Sequence, residues 1–149
     1  MKSNLSPRVA RKRGLTLLEL ALVITVLLSL VALLFIGSRA WKRGSDRANC
    51  LLSLRNIQMA TRSYQNLYGY SYGGRPYAEN GTQDIAQLLY DKGYIEQHLF
   101  QQAKGRQPCP SGGTYSCEMP DVFPISGQLY LKCSLADAEG HKPDARPDW

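Results

Sequence analysis

Residues 15–38 read LTLLELALVITVLLSLVALLFIGS and decide the fold of this 149-residue chain. Residues 20–38 are nineteen uncharged, mostly aliphatic residues, enough to cross a bilayer as a helix. No proline interrupts residues 15–36, so we expect the helix to run unbroken. The exceptional residue is Glu19, a carboxylate near the start of the run. An ionisable group in an apolar span is costly, and it therefore indicates a function with a specific partner.

The charge distribution predicts the orientation of this span. Of the 18 Lys and Arg residues, five lie within the first 14 positions, where there is no acid. The remaining 13 basic and 12 acidic residues nearly balance, so the net charge of +6 reports topology more than nucleic-acid binding. Basic residues beside an apolar span stay cytoplasmic. We therefore expect the leader inside the cell and the bulk of the chain outside.

Two ordinary interpretations of the N-terminus compete. A basic start followed by a short apolar region is typical of a cleaved secretory signal, and residues 38–40 (SRA) resemble its cleavage site. The apolar region here is longer than such signals use, and Glu19 interrupts it. An uncleaved signal-anchor fits the length of the span but leaves Glu19 without a purpose.

Residues 14–20 (GLTLLEL) indicate a third interpretation, because they resemble the signal of type IV prepilins and type II secretion pseudopilins. That pattern is Gly followed usually by Phe-Thr-Leu-Ile-Glu-Leu, and only Leu15 and Leu18 depart from it, both by apolar replacements. The resemblance implies cleavage after Gly14 by a prepilin peptidase and N-methylation of Leu15. It also implies that Glu19 of one subunit pairs with the Leu15 amine of its neighbour, which makes Glu19 a residue for filament assembly.

The resemblance implies an α+β, type IV pilin-like fold. Its expected parts are a basic leader (1–14, removed), a transmembrane or filament-core helix (15–38), the amphipathic second half of the same helix (39–68), a small globular head (69–136) and a loose tail (137–149). In this interpretation the chain is a single-pass protein of the bacterial inner membrane before it enters a filament. Its expected partners are prepilin peptidase, other pilin or pseudopilin subunits, the inner-membrane assembly platform and membrane lipid.

The helical pattern resumes after the span. Spacings of three and four place Cys50, Leu54, Ile57, Thr61, Tyr64 and Leu67 on one face, and Arg55, Gln58, Arg62 and Gln65 on the other. We expect the first face to pack against the head and Gly69 to end the helix.

Within the head, residues 84–92 predict a short amphipathic helix with Ile85, Leu88 and Leu89 facing inward. Residues 101–107 read as a polar linker. Residues 114–117 and 127–133 read as the two strands of an antiparallel hairpin.

The loop of residues 69–83 is rich in tyrosine (Tyr70, Tyr72 and Tyr77) and contains Arg75. Aromatic rings and a cation can form a surface for single-stranded nucleic acid. Packing of the tyrosines onto the head or a neighbouring subunit is the simpler interpretation, and it is preferred.

Four cysteines, Cys50, Cys109, Cys117 and Cys133, follow the span. An even number outside the cytoplasm favours disulfides, and three connectivities are open. Cys109 with Cys133, and Cys117 with Cys50, is one candidate arrangement. Zinc is the competing interpretation, but no CxxC pair occurs, and seven and fifteen residues separate the last three cysteines. We therefore expect disulfides and no metal.

Residues 50–57 (CLLSLRNI) and 109–115 (CPSGGTY), with the later Cys133-Ser134 and Gly140-His141 pairs, also resemble segments of pseudopilin-like proteins. Ser53, where Asn is usual, and the additional Cys117 depart from that pattern.

The motifs of common enzymes are missing from the sequence. No Walker loop, GxSxG or HExxH occurs, and His98 and His141 have no evident nucleophile beside them in sequence. Pseudopilins of type II secretion bind calcium in a C-terminal loop, but Asp121, Asp137 and Asp144 match no oxygen-ligand spacing. We expect a structural subunit without enzymatic activity or cofactor. A DNA-uptake minor pilin and an unprocessed signal-anchored envelope protein remain the alternatives.

Overall fold

The computed structural model of the chain describes residues 16–144. Gly14, Leu15, the predicted leader and residues 145–149 of the predicted tail lie outside the described residues. The layout is α+β, with one long N-terminal helix followed by a small C-terminal part, in agreement with the expected arrangement. The elements in chain order are α1 (Leu17–Tyr68), α2 (Ile85–Asp91), α3 (Gln97–Ala103), β1 (Tyr115–Ser116) and β2 (Lys132–Cys133).

The chain divides into two compact units, residues 1–40 and residues 41–149. In the first unit, α1 carries an 18-residue window with a mean hydropathy of 2.9, none of it buried. By length and composition this helix could cross a membrane. The predicted apolar helix is therefore present.

The end of α1 confirms the predicted glycine stop. Gly69 has φ +71°, the left-handed conformation that glycine adopts without strain. The Tyr70 amide donates to the Gln65 carbonyl over 2.9 Å, and the Gly69 amide donates to the Asn66 carbonyl over 3.4 Å. These two bonds are those of a Schellman motif. They direct the chain out of the helix and back over its own last turn.

The core of the C-terminal unit forms where α1 meets the segments that follow it. Phe123 and Tyr64 are fully buried, and Tyr70 stacks on the Phe123 ring at a centroid distance of 5.1 Å. The apolar face of α1 is buried as predicted at Cys50, Leu54, Ile57, Thr61 and Tyr64.

The polar face of α1, which the sequence places opposite the packed apolar face, is nevertheless buried at three residues. Gln58, Arg62 and Gln65 are all buried, whereas Leu67, predicted to face inward, is 71% exposed. The physical reason is that these polar groups find partners inside the unit. Residues 124–130 supply backbone partners for Gln58 and Arg62, and Gln65 donates to the Tyr70 carbonyl and accepts from Arg62.

The helix α2 is confirmed with its inward residues. Asp84 caps it, since its Oδ1 accepts from the Gln87 amide over 3.1 Å. The linker predicted over residues 101–107 is wrong at its start, because α3 continues to Ala103 and packs Leu99 and Phe100 into the core. The sequence did not predict this helix because most of its residues are polar and its apolar face is narrow.

The two predicted strands pair antiparallel, but the hairpin is much shorter than expected. Tyr115 faces Cys133 and Ser116 faces Lys132, and β2 contains only the last two residues of the predicted strand 127–133. The Gln58 side chain instead hydrogen-bonds two backbone groups of the segment that was predicted to pair. Its Nε2 donates to the Gln128 carbonyl over 3.0 Å and its Oε1 accepts from the Tyr130 amide over 2.8 Å.

The predicted loose tail begins later than expected. His141 is 1% exposed, and its amide donates to the Leu135 carbonyl over 3.2 Å. Residues 137–141 therefore belong to the packed unit.

Candidate functional site

The start of α1 carries the first candidate site, formed by Thr16 and Glu19. The Glu19 amide donates to Thr16 Oγ1 over 3.2 Å, and the Thr16 amide donates to Glu19 Oε2 over 2.9 Å. The Thr16 hydroxyl donates to the same Oε2 over 3.1 Å. This is a capping box, in which two otherwise unpaired amides of the first helical turn are satisfied reciprocally.

The capping box gives Glu19 a role within its own chain that the sequence interpretation missed. The Thr-x-x-Glu spacing immediately before the apolar run was the signal that could have revealed it. A carboxylate in the first turn is also favoured by the helix dipole. The carboxylate nevertheless lies at the exposed end of the helix and can accept further hydrogen bonds from outside the chain.

The tyrosine-rich loop is a weaker candidate site. Tyr70 is packed against Phe123, as the simpler interpretation expected, while Tyr72 and Tyr77 are 58% and 80% exposed. Arg75 Nε lies 3.4 Å from Asp121 Oδ2, so the cation that would contact phosphate is paired with an acid. This pairing weakens the case for nucleic-acid binding.

The C-terminal unit contains a third candidate site, which the sequence did not predict, formed by Cys50, Cys109, Cys133 and His141. One ligand atom from each, three Sγ and a ring nitrogen, lies within 4.8 Å of all the others, and all four side chains are buried. His141 Nδ1 lies 3.3 Å from Cys109 Sγ and 4.0 Å from Cys133 Sγ. We refer to these four residues as the Cys–His cluster.

The backbone presents each member of the Cys–His cluster from a different segment. Cys50 comes from α1, Cys109 opens a turn over residues 109–113, and Cys133 ends β2. A Cβ added at Gly113 would lie 2.8 Å from Leu135 Cγ, so glycine lets the turn approach this side chain more closely than another residue could without displacing it.

The expectation of no metal rested on the sequence spacing, and the structure overturns that argument. Ligands that are far apart along the chain converge in space, so the absence of a CxxC pair carries no weight here. All four cysteines are free thiols. The suggested pairing of Cys117 with Cys50 is not supported, because Cys117 lies beside Tyr130 and outside the Cys–His cluster.

The electrostatics of the cluster are those of a buried site. Burial raises the pKa of the Cys50 and Cys133 thiols, and the backbone hydrogen bond from Leu135 partly opposes the rise at Cys133. The Cys109–His141 contact corrects the expectation that His141 lacks a nearby nucleophile. Cys109 is 2% and His141 is 1% exposed, so the pair lies in the interior of the unit.

Comparisons with protein-family models, curated proteins and solved structures found no match to this chain.

Proposed function

We propose that the chain is a pseudopilin-like structural subunit, processed by a prepilin peptidase and assembled into a type II secretion pseudopilus or a type IV pilus-like filament. Its mechanism is assembly and not catalysis. Before assembly it is a single-pass protein of the bacterial inner membrane with its leader in the cytoplasm. The assembly platform then moves it into the filament.

One observation carries this proposal. Glu19 stands in the first turn of an exposed apolar helix, five positions after Gly14 and behind a purely basic leader. The side chains from Leu17 to Ile36 are exposed along this helix, so a surrounding medium, lipid or neighbouring subunits, must cover them. In a plain anchor Glu19 would serve only as a helix cap, whereas a filament also gives its charge a partner on a neighbouring subunit.

The pairing of Glu19 follows from the chemistry of processing. Cleavage after Gly14 creates a positive amine on Leu15, and burying that amine between apolar helices without a partner would be costly. The carboxylate of Glu19 on the neighbouring subunit is the partner that removes this cost. It also sets the axial position at which adjacent subunits dock.

The first test concerns processing. When the chain is expressed together with a prepilin peptidase, we expect a mature N-terminus at an N-methylated Leu15, read by intact mass and N-terminal sequencing. Gly14→Leu should leave the precursor uncut. Gly37→Ala is the matched control, because a Cβ at Gly37 meets no atom within 4 Å, and it should be processed normally. A mature N-terminus at Trp41 would instead indicate an ordinary secretory signal.

The second test separates the two roles of Glu19. Glu19→Gln keeps an oxygen for the capping box and removes the charge, so we expect normal membrane insertion and about tenfold or greater loss of incorporation into sheared filaments. Thr16→Ala does the reverse, since it weakens the cap by about 1 kcal/mol and keeps the charge. We expect it to assemble. Equal incorporation of Glu19→Gln and the wild type would contradict the pairing role.

A further inference from the structure

We propose that Cys50, Cys109, Cys133 and His141 bind one zinc ion as a structural Cys3His site. The inference is independent of the proposed filament, because it concerns only the interior of the C-terminal unit.

The four ligand atoms are already nearly as close together as the ligands of a bound zinc ion. Tetrahedral zinc with bonds of about 2.3 Å to sulfur places its ligands about 3.8 Å apart. The four atoms of the Cys–His cluster lie within 4.8 Å of one another, and His141 Nδ1 is 3.3 Å from Cys109 Sγ. A contraction of about 1 Å or less therefore closes the site.

The backbone around the ligands is preorganised. The Cys109 amide donates to the Gly113 carbonyl over 2.7 Å, and the Gly112 amide donates back to the Cys109 carbonyl over 2.7 Å. On the other side, the Ala136 amide donates to the Cys133 carbonyl over 3.0 Å. The two ligand turns thus keep their shape through bonds that do not involve the ligand atoms.

The imidazole of His141 is oriented as in a metal site. Its Nδ1 faces the sulfurs, and its Nε2 lies 3.7 Å from a carboxylate oxygen of Glu139. Metal-ligating histidines typically direct their second ring nitrogen to a carboxylate or carbonyl, which fixes the ring orientation and tautomer. The 3.7 Å contact is longer than a hydrogen bond, and in the proposed site Glu139 closes it and positions His141 when the ion binds.

A single disulfide would bond fewer of these four groups than one metal ion would. Three sulfurs share one location, so any single disulfide leaves the third thiol and the imidazole buried without a reaction partner. Cys117, the fourth cysteine, lies outside the cluster. One tetrahedral ion takes all four groups at once. Three thiolates with one imidazole favour zinc among the common divalent ions.

A zinc ion here would add one tie among segments that already meet by packing and by hydrogen bonds such as Arg47 Nε to the Gly140 carbonyl. Cys50 belongs to α1, Cys109 to the turn before β1, and Cys133 and His141 flank the last turn of the packed chain. A cleft of about 400 Å³ is lined in part by Cys133 and His141, so the cluster lies close to the surface of the unit.

The experiment measures metal and thiols together in the full-length protein, purified in mild detergent without chelator. We expect about one zinc per chain by elemental mass spectrometry, three thiols that react only after unfolding or removal of the metal, and one thiol, the half-buried Cys117, that reacts in the folded protein. Cys50→Ser, Cys109→Ser, Cys133→Ser and His141→Gln should each lower the zinc content about tenfold or more. Cys117→Ser and His98→Gln are the matched controls and should retain it.

A second measurement covers the case in which ligand variants fail to fold. Glu139→Gln leaves all four ligands in place and should weaken zinc binding about 10–100-fold in a competition with a chromophoric chelator. Wild-type protein stripped of zinc and loaded with Co²⁺ should show the thiolate charge-transfer and intense visible bands of a tetrahedral site. Two disulfides without metal, a metal-free protein with four thiols, iron or copper in place of zinc, or zinc loss in Cys117→Ser would each overturn the assignment.

Discussion

Truncation of Phe123 to alanine is expected to lower the free energy of unfolding of the C-terminal unit by about 3–5 kcal/mol. Phe123 is fully buried and stacks on Tyr70 and Tyr64 at centroid distances of 5.1 and 6.2 Å. Its removal takes away the transfer free energy of the ring and leaves a cavity between α1 and the tyrosine-rich loop. Because small units are stabilised by only about 5–15 kcal/mol in total, this loss approaches complete unfolding.

The measurement is urea unfolding of the full-length protein in detergent, followed by near-ultraviolet circular dichroism. That signal reports the packed tyrosines and not the exposed part of α1. Leu52→Ala is the control, since Leu52 is 53% exposed on the same helix and its truncation should change stability by less than about 0.5 kcal/mol. A loss below about 1 kcal/mol for Phe123→Ala would mean that the ring does not hold this core together.

Arg62→Met is expected to cost about 2–4 kcal/mol in the same assay. The Arg62 guanidinium donates to the carbonyl of Ile125 over 2.9 Å and to Gln65 Oε1 over 2.7 Å, and it also bonds the Pro124 carbonyl. It lies 4.8 Å from the centre of the Tyr72 ring. Methionine fills a similar volume but leaves these acceptors unpaired in a buried place.

Two further variants show whether charge or geometry matters at Arg62. Burial lowers the pKa of the guanidinium, which indicates that it is held away from water by its fixed partners. Arg62→Lys keeps the charge but offers one compact donor group in place of a planar fork, so it should restore only part of the loss. Arg75→Met removes an ion pair whose arginine side chain is 64% exposed and should be close to neutral. Equal stability of Arg62→Met and Arg75→Met would contradict the structural role.

The features that sequence reasoning predicted well depend on local chemistry. The apolar helix follows from residues 20–38, and the helix end follows from Gly69. The helix α2 follows from Asp84 and the inward Ile85 and Leu88. In each case neighbouring residues along the chain decide the outcome, so periodicity and capping rules suffice.

The features that sequence reasoning missed depend on partners distant in the chain. Gln58 and Arg62 read as surface residues because polarity favours exposure, yet the backbone of residues 124–130 satisfies them inside the unit. The same contacts shorten the predicted second strand, because Gln58 occupies the amide and carbonyl that a strand partner would have used. No periodicity contains this information.

The Cys–His cluster was missed for a related reason. Closely spaced cysteine pairs identify zinc sites that are built on one local turn, whereas here each thiol comes from a separate segment. His141 lay in a polar stretch that resembled a loose tail. Tertiary contacts bring these groups together, through the packing of α1, the pairing of β1 with β2 and the approach of the turn at Gly113 to Leu135.

The Thr16–Glu19 capping box has a consequence for the reversibility of the proposed filament. The carboxylate has hydrogen-bond donors from its own chain before any neighbour arrives, so docking exchanges one set of donors for another. The free-energy change on docking is then the difference between two states in which the Glu19 carboxylate is hydrogen-bonded. It is smaller than the full cost of desolvating an unpaired carboxylate. In the proposed filament a subunit would therefore join or leave by exchanging the partners of Glu19, without passing through an unpaired carboxylate.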